Sequence, residues 1–196
     1  MNGVCGLFVV LLVASVELVV CWHPERSWAT IVDGKPTGRR FEPATFRKHP
    51  QQDGRLVRDA YAALYMDETT RELAFGQAEV GKDGRICGVF NFRGQETIHT
   101  CTRFRVLVND MRESEFFLVK PEKFDEQRDE PVEYLDDQLV LHWDPEQSAS
   151  YFGTLHHPKG EEAVLYAVDY NGAPVDVRGK EALSGDFVLF VVDEKK

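Results

Sequence analysis

The sequence predicts an all-β protein, two antiparallel units packed as a sandwich-like domain, on three observations. First, short aromatic and β-branched runs recur at roughly ten-residue spacing, the pattern of a sandwich or barrel. They are "AYAALYMD", "ELAFGQAEV", "ICGVFNF", "FFLV", "QLVLHW", "SYFGTLHH", "AVLYAVDY" and "DFVLFVVD". Second, no stretch carries a sustained helical period with caps. "GRLVRDAYAALYMDE" can be drawn as a helix, but Tyr61, Leu64 and Tyr65 fit a strand nearly as well. Third, the features repeat in order. At an offset of 77, Leu64, Asp67, Phe75, Gly76 and Lys82 match Leu141, Asp144, Phe152, Gly153 and Lys159. With one residue more, Gly94 matches Gly172, and at 83, Phe104, Val108 and Asp110 match Phe187, Val191 and Asp193. The division that follows is a leader over 1–21, a first β unit over 22–114 and a second, divergent one over 115–196.

The leader comes first in the chain. "VCGLFVVLLVASVELVVC" is apolar apart from Ser15 and Glu17, and it is short for a membrane span. It reads as a secretory signal cleaved near Cys21, which predicts a secreted, extracellular protein with no membrane segment after cleavage; the alternatives are a retained anchor and, from "LVVC", a lipoprotein leader, although Val20 stands where a small residue is wanted. Cys5 and Cys21 go with the signal, leaving Cys87 and Cys101 in an oxidising compartment, where a disulfide is the default.

That pair stands symmetrically about Gly94. "ICGVFNF" and "ETIHTCTRFRVLV" flank Arg93-Gly94-Gln95 and read as a hairpin. In a hairpin centred on Gly94, Phe90 faces Ile98, Val89 faces His99 and Cys87 faces Cys101. Facing Cβ atoms in an antiparallel pair lie about 4.5–5.5 Å apart, reachable for a disulfide with local twist. The cysteines therefore form a cross-strand staple contributing about 3 kcal/mol. No C-x-x-C or activated thiolate suggests a redox role. A second hairpin is signalled by the turn Asn171-Gly172.

Charge narrows the function. The formal net charge is −10, which disfavours a nucleic-acid partner. The charge is uneven: residues 22–58 are basic, and 111–137 hold ten Asp/Glu against four Lys/Arg. Both read as solvated faces.

In order, the first unit offers Trp28, Asp33-Gly34-Lys35-Pro36, Asp53-Gly54, Tyr61, Gly76-Gln77 and Cys87. Phe92-Arg93-Gly94-Gln95-Glu96 and Phe104-Arg105-Val106-Leu107-Val108 follow. This order and spacing resemble a DM9 repeat, the unit of a family of invertebrate lectin-like proteins, over about residues 28–108, with a degraded echo in 115–193. The resemblance implies tandem, pseudo-symmetric β units and a mannose-binding, pattern-recognition role. It also implies a sugar site formed by an acidic residue near the Asp-Gly turn, here Asp53, and the residue after the Gly of Gly-Lys, here Gln77. The family's Lys is a three-donor cation, whereas Gln77, and Thr154 in the second unit, are neutral.

Other chemistries lack their patterns. His142, Asp144, His156 and His157 suggest a metal cluster, but adjacent strand residues point to opposite faces, so His156 and His157 cannot share an ion without a bulge. No G-x-S-x-G nucleophile elbow is present, and "DGKPTG" lacks the spacing of a phosphate loop. Trp28, Phe90, Phe92 and Trp143 read as core rather than a sugar-stacking platform. Gly38-Arg39-Arg40 has the form of a prohormone cleavage site, a reading that leaves the β-rich remainder unexplained. The expectation is a secreted, non-enzymatic recognition protein binding a glycan or another surface ligand, without metal or cofactor. The alternative is a lipocalin-like carrier of a small apolar ligand, although Arg26-Ser27-Trp28 lacks the Gly of G-x-W.

Overall fold

The computed structural model describes residues 28–38, 41–44, 46–47, 60–94, 96–109, 116–159, 162–169 and 171–194. The leader over 1–21, Arg39-Arg40 and the Asp53-Gly54 turn lie outside the described residues. The first half of the chain runs through β1 (Trp28–Val32), β2 (Lys35–Pro36), β3 (Phe46–Arg47), β4 (Ala60–Met66), β5 (Leu73–Val80), β6 (Ile86–Phe92), β7 (Glu96–Thr100) and β8 (Arg103–Leu107). The second half runs through β9 (Phe116–Val119), β10 (Asp129–Pro131), β11 (Glu133–Tyr134), β12 (Asp137–Asp144), β13 (Ala149–His156), β14 (Val164–Val168), β15 (Pro174–Arg178) and β16 (Val188–Glu194). Two 3-10 turns, Pro121–Lys123 and Gly179–Leu183, complete it. The protein is all-β, and the described part of the stretch that could have been a helix carries β4.

The strands form two sheets, ordered β2-β1-β8-β4-β5-β6-β7 and β15-β14-β13-β12-β16-β9-β3, with β10 on β16 and β11 on β12. Six strands of the first, 1-8-4-5-6-7, have the same order as 9-16-12-13-14-15 in the second, each eight places later. β3 breaks the division of labour. It comes from the first half of the chain but pairs parallel with β9 in the second sheet, Phe46 beside Phe116.

Register follows the same correspondence. Leu64 faces Phe75 and Ala63 faces Gly76; 77 residues later, Leu141 faces Phe152 and Val140 faces Gly153. Gly76 then faces Phe90, as Gly153 faces Ala167. Both glycines are required by the close passage of the next strand. A Cβ on Gly76 would meet Val89 O, and Phe90 Cδ1 at 2.8 Å; a Cβ on Gly153 would meet Tyr166 O, and Ala167 Cβ at 2.9 Å.

Two details differ from the sequence reading. Phe90 faces Ile98 and Ala167 faces Val175, so the counterpart of Gly94 is Asn171, not Gly172. In the closing strands Val106 faces Ala63 and Phe190 faces Val140, an offset of 84 rather than 83. Phe104 therefore corresponds to Val188, not Phe187. Burial decides this register, because a one-residue slip turns every side chain to the other face. Phe104 and Val188 are buried and Phe187 is only partly so.

The first hairpin has the expected register. Gly88 faces Thr100, Val89 faces His99 and Phe90 faces Ile98, and one step beyond the ladder Cys87 and Cys101 are bonded with Cα atoms 4.2 Å apart.

Alternate side chains of a strand point to opposite sides of its sheet, which sorts the apolar residues into three cores. Between the sheets lie Trp28, Leu64, Phe75 and Leu107 from one and Leu118, Leu139, Leu141 and Phe152 from the other. Phe75 and Phe152 are almost fully buried there. The opposite face of the first sheet buries Ile31, Phe90, Phe92, Phe104 and Val106 against its own strands and Phe41. That of the second buries Val140, Leu155, Leu165, Val188 and Phe190, with Phe124 and Leu183 beside the 3-10 turns. Each sheet thus wraps a core of its own and shares a third. Trp28, Phe90 and Phe92 are core residues, as the sequence suggested, whereas Trp143 is only partly buried and belongs to none of the three cores.

Polar groups lock the seam. The β5–β6 ladder stops at Gly76–Phe90, one residue short of Phe75. There the Thr154 hydroxyl, from the other sheet, accepts from Phe75 N at 2.8 Å and donates to Phe75 O at 3.2 Å. Asn91, 1% exposed, reaches the other way: Nδ2 donates to Ala167 O at 3.0 Å and Asp176 Oδ1 at 2.9 Å, while Oδ1 accepts from Gly94 N at 2.8 Å. The two hairpins lean on each other's sheets. A Cβ on Gly94 would lie 2.6 Å from Asp176 Oδ2, and one on Gly172 would lie 3.6 Å from His99 Cε1. His99 and Asp176 are themselves 77 apart.

One core histidine makes stability depend on pH. His142 is 7% exposed, and its buried Nδ1 has no hydrogen-bond partner. Burial lowers its pKa below 6.5, outweighing Asp144. Its neutral form is favoured by folding, so its contribution is present above pH 6.5 and is lost as pH falls through the depressed folded value. Urea melts between pH 8 and 5 should show declining stability, and His142→Leu should flatten part of that slope.

Candidate functional site

A cleft arises where a strand leaves its neighbour. β4 pairs with β8 only at Ala63–Val106 and Leu64–Arg105, whereas β8 continues along β1 as far as Val32–Arg103. Beyond Leu64, β4 and β8 no longer pair, and a cleft of about 860 Å³ opens, with Tyr65, Asp67, Glu68, Arg71, Arg103 and Arg105 in its lining.

Local geometry presents these side chains. The β4–β5 turn is closed by Asp67 N donating to Glu72 O at 2.9 Å and Arg71 N donating to Asp67 O at 3.0 Å. Asp67 Oδ1 accepts from Thr69 N at 2.7 Å and Thr70 N at 2.9 Å. The Thr70 and Thr69 amides hold the Asp67 carboxyl below its ordinary range. Arg71 has φ +63°, a left-handed conformation uncommon outside glycine, and the turn's hydrogen bonds keep it there. Tyr65 packs on Phe90 with ring centroids 5.5 Å apart. Burial raises its phenol pKa, and Asp67, Glu96 and Glu68 add to the rise. Arg103 Nη1 lies 3.5 Å from Glu68 Oε1 in an exposed pair. Arg71 and Arg105 make no ion pair among the described residues.

A second cavity of about 520 Å³ opens onto the second sheet's own core. Phe124, Leu183, Phe190 and Pro131 give it apolar walls, and Phe124 meets Phe190 edge-on at 5.6 Å. Gln138 also lines it; that residue is 3% exposed, and its Nε2 has no hydrogen-bond partner. Glu133, another lining residue, has its carboxyl pKa raised chiefly by burial. Lys159 Nζ meets Glu126 Oε1 at 2.8 Å on the lining.

A third cluster ties the sheets. Asp137, 5% exposed, is bonded to His156 Nδ1, and Arg93 lies 3.8 Å from Asp137 and 3.4 Å from Glu72. Its arginine comes from the hairpin turn of one sheet and its Asp–His pair from facing positions of the other.

The sequence-predicted residues distribute as follows. Cys87 and Cys101 are joined. Gln77 is 6% exposed, shares the face of Phe75 toward the seam, and its buried Oε1 has no partner. Asp53 lies outside the described residues. The expectation that His156 and His157 point apart fails. β13 ends at His156, and His157, at φ +50°, brings the two rings to 3.9 Å between centroids. Among the described residues no three His, Cys, Asp or Glu side chains are grouped to hold a metal ion, and no helix is long and apolar enough to cross a membrane.

Sequence reasoning did not single out Arg71 and Arg105. "TRFRVLV" carried a usable signal, because Arg103 and Arg105 stand two apart on one strand and so share a face. The splaying of β4 from β8 had no local signature. No protein-family model matches the chain, and no curated protein matches it.

Proposed function

We propose that this chain is a secreted, non-enzymatic recognition protein that binds a glycan in the β4–β8 cleft, and that its two sheets are diverged copies of one DM9-like unit. The duplication reading is supported by the common strand order and the constant 77-residue register through β4, β5, β6 and β7. Secretion is supported by the apolar leader and the Cys87–Cys101 disulfide.

The observation that carries the binding reading is the lining of the cleft. It combines an aromatic phenol, two carboxylates, three guanidiniums and the hydroxyls of Thr30, Thr69 and Thr102 around one open concavity. Sugars present closely spaced donors and acceptors around a ring with apolar C–H faces. A lining of charged acceptors, charged donors and the aromatic Tyr65 satisfies both, and hydrogen bonds to charged groups are the stronger ones. The reading rests on the cleft rather than on Gln77, whose side chain is turned into the seam.

The second cavity favours a second reading, a carrier of a small apolar ligand, because Phe124, Leu183 and Phe190 wall it. Thermal denaturation with a panel of oligosaccharides and a panel of fatty acids separates the two, since a ligand that binds only the native state raises the melting temperature. The glycan reading predicts a rise with at least one saccharide and none with fatty acids. A rise with fatty acids alone would replace it by the carrier reading.

A further inference from the structure

The cleft also carries information about the class of sugar, and this step rests on the glycan reading above. Its lining holds three guanidiniums, Arg71, Arg103 and Arg105, against two carboxylates, Asp67 and Glu68, leaving one positive charge in a chain whose formal net charge is −10. Glu68 is engaged by Arg103 at 3.5 Å. Asp67 is engaged by the amides of its own turn. Arg71 and Arg105 have no carboxylate partner among the described residues, although the chain holds 33 acidic residues against 23 basic ones. Arg105 is half-buried, and no carboxylate among the described residues lies within ion-pair distance of its guanidinium. Arg71 is presented by a turn that holds it in a left-handed conformation.

We propose that the β4–β8 cleft takes an acidic saccharide, with the carboxylate of a uronic-acid unit held by Arg71 and Arg105. A guanidinium presents parallel N–H donors that match a planar carboxylate. The remaining lining suits the rest of the sugar: Asp67 and Glu68 accept from hydroxyls, and Thr30, Thr69 and Thr102 can donate or accept. One surplus positive charge fits a monoanionic group. A dianionic phosphate would meet the two carboxylates without enough positive charge to offset it.

The test is calorimetric titration of the whole mature protein with a galacturonic acid tetramer, its neutral methyl ester, mannotetraose and a 6-sulfated galactose oligomer. The acid tetramer should bind, and the methyl ester should bind at least about tenfold more weakly, since one decade corresponds to the loss of a charge-assisted hydrogen bond. Arg71→Gln and Arg105→Gln should each weaken the acid tetramer by about tenfold or more and leave the methyl ester nearly unchanged. Lys159→Gln, at the other cavity, should change neither. Equal binding of acid and ester, or acid binding unaffected by both arginine variants, overturns the proposal. So does binding of the sulfated oligomer without the uronate. If an arginine variant fails to fold, the acid-against-ester comparison on the unaltered protein still decides. Binding of mannotetraose without the acid tetramer overturns this inference and leaves the glycan reading standing; no binding by any saccharide removes both.

Discussion

Phe75→Ala is expected to destabilise the protein by about 3–5 kcal/mol, the range for deleting a buried aromatic side chain. Phe75 is 1% exposed in the core shared by the sheets, 6.1 Å from the ring of Trp28. Its backbone N–H and C=O are held across the seam by Thr154. The cavity left behind would be walled by both sheets, so neither can collapse into it without moving the other. Urea melts by tryptophan fluorescence measure the effect. Phe152→Ala should cost a similar amount, because Phe152 holds the corresponding register position and is 3% exposed in the same core. A loss below about 1 kcal/mol in both, the range of a surface substitution, would mean that the shared core does not join the sheets.

Removing the disulfide is the second large effect. Cys87 and Cys101 close a loop of fourteen residues of separation, and constraining such a loop in the unfolded chain contributes about 3 kcal/mol. The Cys87→Ala, Cys101→Ala double variant should therefore unfold at lower urea with a nearly unchanged slope. The bond extends a ladder already held from Gly88–Thr100 to Phe92–Glu96, so the fold should survive its loss in the cold. Mass spectrometry of the non-reduced mature protein checks the pairing. Free thiols at Cys87 and Cys101, or a bond from Cys21 to either, would contradict it.

What the sequence disclosed was what local chemistry determines. The Gly94 hairpin could be written down residue by residue because a glycine turn, flanking β-branched runs and two symmetric cysteines all fix the same register. The Phe-Gly pairs were legible because each glycine answers a steric demand of its neighbouring strand. The offset in the closing strands was misread by one residue because Phe104 and Phe187 look alike as letters, whereas burial pairs Phe104 with Val188. His157 was misread because the alternation rule presumes an extended chain, and its backbone turns left-handed where the strand ends. The seam bonds of Asn91 and Thr154, and the cleft itself, join residues distant in sequence. No window of local pattern reports them.

Recognition of a glycan by the cleft is the claim on which the functional account turns, and a glycan array probed with the full mature protein tests it most directly. The account predicts retention on features bearing exposed uronic-acid units, lost when Arg71 and Arg105 are both changed to glutamine and kept when Lys159 is. Retention on no glycan at any protein concentration, with the protein folded and its disulfide formed, would contradict it.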